Sequence, residues 1–270
     1  AVRQGASLLR RVPAFAASAP VRWLKSCARP LLRQRMEQDD SWFYAILSAQ
    51  IKHCRPDVIL NQDMTGVSAT FLEEMKPYYR ILIGQHAATR LTIDSSFQCY
   101  DLMISSFPPT VELFRRQGFS AALNRLGFDP RILARLRPTQ RKCDVALVGS
   151  FSDVHSSRVA LLNELYAKLD RPEALKIWAP SVDHLPMESP IRRHYMGPAW
   201  GCTMYEILNG SKMTLNHHGD VLPYANNMRL FESTGTGTLL LTDWKQNLHE
   251  MFEPGKEVVT YWTPEECAEK

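Results

Sequence analysis

Three polar side chains, Asn227, Arg229 and Glu232, lie within two turns of one predicted helix and have the chemistry to bind a nucleotide. An arginine fork matches two phosphate oxygens at once, and an asparagine amide can donate to the same anion. A carboxylate can accept hydrogen bonds from both hydroxyls of a ribose. The sequence therefore predicts that Arg229 and Asn227 hold a diphosphate and that Glu232 holds the ribose.

Each of these residues also has a simpler interpretation. Asn227 would only cap the helix, Arg229 would form a salt bridge to a nearby acid, and Glu232 would be an exposed helix carboxylate. Gly235 follows directly, ends the helix and opens the turn into an apolar strand. We count Gly235 with these candidate binding residues because it belongs to the same motif.

A second anion-binding turn is predicted at Gly149-Ser150, between a buried strand and a helix. Backbone N–H groups in such a turn can approach a phosphate, although any strand–helix turn can use Gly-Ser. His155 and Arg158 come just after the turn and are in reach of the same anion. The alternative for Arg158 is a solvated position on an exposed helix face.

Two adjacent histidines, His217 and His218, follow the apolar end of another predicted strand. Adjacent residues of an extended segment point to opposite sides, so the two side chains do not form a metal pair. We expect one of them, assigned as His217, to lie near the ligand without a metal. A purely structural histidine is the alternative.

The hydrophobic pattern predicts strands that alternate with helices, which is typical of a parallel α/β sheet. Strands are predicted at 56–60, 80–84, 100–105, 121–126, 143–149, 174–179, 213–217, 238–242 and 257–261. Helices are predicted at 42–54, 67–75, 110–117, 156–169, 203–209, 227–234 and 247–252. The polar residues 136–142 separate two such patterns and predict a domain boundary there.

Charge and cysteines limit the class of protein. Residues 1–36 hold eight basic residues and no acidic one, which leaves a net charge of −4 for the rest of the chain. That balance does not indicate a nucleic-acid partner. The basic segment is interpreted as a solvated helix, with a transit peptide or a peripheral membrane contact as alternatives. Six scattered cysteines predict reduced thiols in a cytoplasmic protein.

Beyond these single residues, the chain resembles the group-1 superfamily of GT-B glycosyltransferases, in particular its CgeB/YkvP-like (spore maturation protein) branch. The segment from Asn226 to Asp243 is similar to the donor-binding signature of that family. Further similarity lies in the stretches 144–150, 195–201, 215–218 and 252–261. By this interpretation the resemblance covers roughly residues 40 to 270.

The resemblance implies a GT-B-like α/β fold with two Rossmann-like parallel-sheet domains facing a cleft. We expect a basic segment over 1–36, an acceptor-side domain over 37–137 and a nucleotide-sugar-binding domain over 143–270. The first domain looks incomplete, and the helix that starts at Pro264 stops with the chain, so a truncated product is expected.

The implied activity is transfer of a sugar from a nucleotide sugar to an acceptor that is a glycan, a protein or a small molecule. Gly149, Ser150, Arg158, His217, Asn227, Arg229, Glu232 and Gly235 would bind the donor. The resemblance places His86 against the donor sugar, and Asp63 is a candidate base by position. The simpler interpretation of His86 is a loop histidine.

No cofactor and no metal are expected, because GT-B enzymes neutralise the diphosphate with cations and helix N-termini and the sequence has no Asp-x-Asp motif. The paired glutamates of the retaining group-1 enzymes are absent, since Tyr224 stands eight positions before Glu232. Retention or inversion therefore stays open. Two alternatives are a nucleotide-sugar-binding or structural protein without turnover, and a nucleotide-sugar epimerase of the same fold.

Overall fold

The structure, a computed structural model, describes residues 41–87, 93–137, 140–220 and 223–270. The contacts of the chain divide it into two compact units. Among the described residues, unit one comprises 41–84 and 93–101, and unit two comprises 85–87, 102–137, 140–220 and 223–270. The basic segment predicted over 1–36 lies outside the described residues, and the domain boundary predicted at 136–142 stays a prediction.

Unit one contains a parallel pair of strands and two helices. The elements are α1 (Ser41–Cys54), β1 (Val58–Asn61), α2 (Ala69–Glu74) and β2 (Ile81–Gln85), with 3-10 turns at Lys76–Tyr78 and Ser95–Cys99. The strands pair from Val58 opposite Ile81 to Asn61 opposite Gly84. Buried Leu72 and Leu82 belong to its apolar core.

Unit two begins with a second parallel strand pair. The elements are β3 (Leu102–Ser105), α3 (Pro108–Arg116) and β4 (Ala121–Leu123), followed by a 3-10 turn at Pro130–Arg135. Strands β3 and β4 pair with Met103 opposite Ala121, and α3 packs on both of them. The amphipathic α3 buries Val111 and Phe114, while its arginines face solvent.

The rest of unit two is built on a parallel sheet whose described strands run in the order β6-β5-β7-β8-β9. The strands are β5 (Cys143–Val148), β6 (Leu175–Trp178), β7 (Ser211–Asn216), β8 (Leu239–Asp243) and β9 (Val259–Tyr261). The helices are α4 (Ser156–Lys168), α5 (Pro190–Arg193), α6 (Gly201–Asn209), α7 (Met228–Gly235) and α8 (Pro264–Glu269). Further 3-10 turns lie at Asp153–His155, Pro172–Ala174 and Leu248–Glu250.

Helices cover this sheet on both faces, which explains the near-continuous apolar runs of its strands. On one face, Leu162 of α4, Ile191 of α5 and Cys267 of α8 pack in one cluster with Leu147 and Leu215 of the sheet. The other face is covered by α6 and α7, which carry the buried Leu208 and Leu230. Burying one such leucine stabilises the fold by roughly 1.5–3 kcal/mol relative to leaving it exposed.

The predicted strands are all present, with shifts of one to three residues at their ends. The helix predicted at 247–252 is wrong, because a single 3-10 turn at Leu248–Glu250 stands there. The short α5 lies between β6 and α6, where no helix or strand is predicted. Its start is Pro190, whose fixed φ suits the first turn of a helix.

The strand order places a topological switch point between β5 and β7. The chain leaves β5 toward α4 on one face, and after β7 it reaches α7 on the other face. The two connections therefore diverge and leave a crevice beyond the carboxyl ends of the two strands. Open α/β sheets bind their ligands at this place. Among the described helices, none is long and apolar enough to cross a membrane.

Candidate functional site

A pocket of about 1050 Å³ opens in unit two at the carboxyl ends of β5 and β7. Six of the predicted donor-binding residues line it: Gly149, Ser150, Arg158, Asn227, Arg229 and Glu232. Apolar side chains, among them Trp200, Met204 and Met228, form another part of the wall. The sequence predicts anion binding at Gly149-Ser150 and at the start of the helix that carries Arg229. The structure brings both to one pocket.

The start of α7 presents backbone donors to this pocket. Asn227 is the N-cap, and its Oδ1 accepts from the N–H of Leu230 at 3.3 Å. Its Nδ2 donates to Oδ1 of Asn216, at the end of β7, at 3.1 Å. The capping interpretation of Asn227 is therefore observed, and the residue lines the pocket as well. The N–H groups of Met228 and Arg229 precede any intrahelical partner, since they lie in the first turn.

Arg229 and Glu232 form a largely buried ion pair in the first turns of α7. Nη1 of Arg229 lies 2.7 Å from Oε2 of Glu232, and their side chains are 14% and 11% exposed. Nε of Arg229 donates to the carbonyl of Val148 at 3.0 Å, and the hydroxyl of Tyr205 donates to Oε1 of Glu232 at 3.3 Å. Burial lowers the pKa of Arg229, while Glu232 acts in the opposite direction.

The alternatives left open by the sequence are therefore decided in part. The salt bridge of Arg229 is observed, but the same side chain lines the pocket. The interpretation of Glu232 as an exposed carboxylate is wrong, because the residue is 8% exposed. Both residues are held in one orientation at the pocket wall.

The start of α4 already holds an anion, the carboxylate of Asp220. Its Oδ2 accepts from Oγ of Ser156 at 2.6 Å and from the N–H of Ser157 at 3.0 Å. Oγ of Ser157 donates to the other oxygen, Oδ1. Burial alone would raise the pKa of Asp220, but the serine hydrogen bonds outweigh it and lower the value to about 2.

Arg158 is 6% exposed, so the solvated position considered for it is wrong. Nη1 donates to the carbonyl of Ser150 at 2.6 Å, and Nε donates to the carbonyl of His217 at 3.1 Å. Burial lowers its pKa to about 10, which leaves the guanidinium charged at neutral pH. Gly149 is needed beside it, since a Cβ there would lie 3.0 Å from Nη1. Arg158 therefore connects the segment that follows β5 with the segment that follows β7.

His155 also lines the pocket, but as a neutral side chain. Burial, together with the nearby charge of Arg158, lowers its pKa to about 4. Its Nδ1 lies 2.8 Å from Oγ of Ser152 in a capping box before α4. At neutral pH it therefore contributes no positive charge to an anion in the pocket.

Of the two adjacent histidines, the structure places His218 on the pocket wall, whereas His217 is not among the lining residues. His217 stacks on Tyr261, and its Nδ1 lies 2.9 Å from the tyrosine hydroxyl. His218 contacts Asp243, with Nδ1 2.7 Å from Oδ1. Sequence reasoning missed His218 and Asp243. The sequence signal for these two residues was their position: His218 comes just after β7, and Asp243 ends β8.

The remaining predicted residues lie outside the pocket wall. Gly235 ends α7, where an added Cβ would clash with the ring of Phe128, so its role is close packing. His86 donates its backbone N–H to the carbonyl of Ile104 at 3.0 Å, and its neighbour Ala87 lines the pocket. Asp63 belongs to unit one and accepts from the N–H of Gly66 at 2.9 Å.

Tyr224 lines the pocket at the position where the retaining group-1 enzymes would have a glutamate. Its ring meets that of Phe107 edge to face, with centroids 5.6 Å apart. In the part of the chain that the structure describes, no three His, Cys, Asp or Glu side chains cluster with metal-ligand geometry.

Three solved structures share this fold. Alr3699/HepE from Anabaena, in complex with UDP and glucose, is 10% identical with a TM-score of 0.57, over 83% of this chain and 70% of that one. The UDP-forming α,α-trehalose-phosphate synthase from Burkholderia xenovorans is 11% identical with a TM-score of 0.53, over 84% and 68%. AviGT4, a glycosyltransferase involved in avilamycin A biosynthesis, is 15% identical with a TM-score of 0.50, over 78% and 64%.

At these identities the likeness shows the fold, which is the predicted arrangement of two parallel-sheet α/β domains seen in GT-B glycosyltransferases. The chain spans between 49% and 70% of the length of solved structures that it matches. No curated protein matches the chain. Residues 136–270, half of the chain, match the model of a family described as glycosyl transferase-like, and the chain therefore belongs to that family.

Proposed function

We propose that this chain transfers a sugar from a nucleotide-sugar donor to an acceptor and binds the donor in the pocket of unit two. One observation carries the proposal. The pocket at the switch point of the sheet joins the start of α7, Arg229 and Glu232 on one wall. A nucleoside diphosphate needs an anion site next to a carboxylate for its ribose, and this wall has both.

The anion site would act on the leaving group. When the bond between the sugar and the diphosphate breaks, negative charge develops on the phosphate oxygens. Donors that are fixed in advance stabilise such charge better than mobile water does. The first N–H groups of α7 and the guanidinium of Arg229 are fixed, because Asn227 caps the helix and Glu232 holds the arginine.

Glu232 would hold the nucleoside. Each of its oxygens has one contact, to Tyr205 or Arg229, and a carboxylate has about four lone-pair sites. Two sites are thus left for a ribose diol. The exposed ring of Trp200 and the side chain of Met204 offer an apolar surface to the base or to a sugar face.

The finer assignments are part of the same proposal. The motif resemblance supports the CgeB/YkvP-like branch, and the donor is a nucleotide sugar bound without a metal or another cofactor. The solved relatives named above with UDP or UDP-forming activity make uridine the first base to test. The acceptor, whether glycan, protein or small molecule, is left open, and the scattered cysteines support a cytoplasmic location.

The test is a ligand screen with a matched pair of variants. UDP, GDP, dTDP, CDP and their sugars are compared by thermal shift, and the best ligand is then titrated by calorimetry. A true ligand at 100 times its Kd should stabilise the protein by about 2.7 kcal/mol. Arg229→Lys keeps the charge but loses the fork, so we expect about tenfold weaker binding.

Arg116→Lys is the control, because Arg116 is exposed and pairs with Glu112 along α3. It should bind the ligand as the wild type does. If none of the nucleotides shifts the melting temperature, or if both arginine variants bind equally well, the proposal fails.

A further inference from the structure

His218 carries a ring nitrogen that has no partner among the described residues. The residue is 4% exposed and lines the pocket. Its Nε2 is buried and makes no hydrogen bond within the described parts of the chain. Buried polar atoms in folded proteins are almost always hydrogen-bonded, so this nitrogen calls for an explanation. His217 differs, since Tyr261 and Ser157 lie 2.9 Å from its two ring nitrogens.

The other ring nitrogen of His218 is fixed by a carboxylate. Nδ1 lies 2.7 Å from Oδ1 of Asp243, and the backbone N–H of His218 donates to the same oxygen at 3.0 Å. Burial alone would raise the pKa of Asp243, but the hydrogen bond to His218 outweighs it and lowers the value. An ionised carboxylate only accepts hydrogen bonds. In the neutral ring, Nδ1 therefore carries the proton, and Nε2 is the unprotonated nitrogen.

The surrounding charges favour this arrangement. Nζ of Lys245 lies 3.1 Å from Oδ2 of Asp243, and Nδ1 of His217 lies 4.0 Å from the same oxygen. Arg158 adds a positive charge from α4, where it donates to the carbonyl of His217. The charges of Lys245 and Arg158 favour the ionised form of Asp243. Asp243 in turn stabilises the imidazolium once it forms.

We propose that His218 is the general base of the transfer, oriented by Asp243; this inference rests on the proposed function. The acceptor hydroxyl donates to Nε2 and loses its proton to it. The acceptor oxygen forms the new bond to the anomeric carbon of the donor sugar. The bond from that carbon to the diphosphate oxygen breaks, and its electron pair leaves with the nucleoside diphosphate. The imidazolium then returns its proton to water.

The experiment uses water as the acceptor, so that no further substrate is needed. UDP-glucose, GDP-mannose, dTDP-glucose and CDP-glucose are each incubated with the full chain, and release of the nucleoside diphosphate is followed from pH 5 to pH 9. His218→Asn keeps an amide donor near the position of Nδ1 but removes Nε2. We expect its kcat to fall about 10²- to 10⁴-fold, with the Kd of the nucleoside diphosphate unchanged within about threefold.

The wild-type rate should fall at acid pH as Nε2 becomes protonated, and this decrease should be missing from the residual activity of His218→Asn. Asp243→Asn should lower kcat while the variant still binds the nucleotide, because the ring loses its fixed tautomer. His249→Asn is the matched control, since His249 is exposed and is not a pocket residue. It should keep the wild-type rate and pH profile.

The outcomes separate this inference from the proposed function. Turnover by His218→Asn at the wild-type rate, with the same pH profile, would overturn the inference alone. Absence of binding and turnover for all four sugars in the wild type would overturn both. If the His218 and Asp243 variants do not fold, the wild-type profile decides, because a rate that does not fall at acid pH contradicts a histidine base.

Discussion

Two helices, α4 and α7, start at the pocket, and they differ in what faces the free N–H groups of their first turns. Each follows a strand of the same sheet, and the first turn of each has N–H groups without intrahelical partners. At α4 the chain itself supplies the anion, since Asp220 accepts from Ser156 and Ser157. At α7 the cap is the neutral Asn227, and the positive end of the helix dipole is left for a ligand.

The two arginines of the pocket also differ in their partners. Arg158 uses its guanidinium on the carbonyls of Ser150 and His217, and thereby fixes the turns. Arg229 is paired with Glu232 on the wall of the pocket. The comparison teaches that a glycine turn before a helix does not by itself make a phosphate site. What decides is whether a carboxylate already accepts from the first N–H groups of the helix, as Asp220 does at α4.

The largest effect should come from Glu232→Ala. The change leaves the guanidinium of Arg229 buried without its counter-ion, which costs about 3–5 kcal/mol in buried pairs. Because the pair is partly exposed, we expect the lower end of that range in urea unfolding. Nucleoside diphosphate binding should weaken by roughly 10- to 150-fold, since the ribose loses charge-assisted hydrogen bonds.

Glu232→Gln is the matched variant, because it keeps the shape and one acceptor, and both losses should be smaller. Calorimetry with the ribose and 2′-deoxyribose nucleotides completes the test. The wild type should prefer the ribose form, and Glu232→Ala should not. Equal preference in all three proteins would remove Glu232 from the nucleotide site.

A smaller effect is expected at α4, for Asp220→Ala. Loss of a capping side chain destabilises a protein by about 0.5–2 kcal/mol, and the exposed position of Asp220 favours the lower half. The pKa of Asp220 is lowered from 3.8 to about 2 in the folded state. Its stabilising contribution is therefore complete above the ordinary value and is lost as the pH falls toward 2.

The measurement compares the free energies of unfolding of wild type and Asp220→Ala at pH 7, 5 and 3. The difference between the two proteins should shrink at the lowest pH. Nucleotide affinity should stay the same or increase, because a negative charge leaves the pocket. A difference that does not depend on pH, or a nucleotide affinity that is lost, would contradict the assignment of α4 as a capped helix.

Much of unit two was predictable because its signals are local. Apolar runs, glycine turns and the sequence Asn227-Met228-Arg229 indicate strands, turns and a helix start within a few residues. The carboxyl ends of parallel strands share one edge of the sheet, and Gly149, Arg158 and Glu232 line one pocket there.

Contacts between distant residues were not predictable from such signals. Asp220 lies 63 positions from Ser157, and Asp243 lies 25 positions from His218. No periodic pattern in a single sequence pairs residues at separations of this size. The choice between His217 and His218 depends on which side of one extended segment faces the pocket, which a shift of a single residue reverses. The packing of Gly235 against Phe128 also joins residues that are distant in the sequence, and no local pattern predicts it.

The smallest effect, ideally none, is expected on removing metal ions. In the proposed site, Arg229 and the start of α7 would supply the positive charge for a diphosphate, so no divalent cation would be needed to neutralise it. The carboxylates at the pocket are also engaged, Glu232 by Arg229 and Asp220 by the α4 serines. A Mg²⁺ or Mn²⁺ ion would have to break one of these pairs to gain an oxygen ligand.

Nucleotide binding and donor hydrolysis should therefore persist unchanged in excess EDTA and gain nothing from added metal. Complete loss in EDTA, restored by Mn²⁺ or Mg²⁺, would mean that the positive end of α7 is not sufficient for the diphosphate, and the contrast between the two helices would then lose its functional meaning.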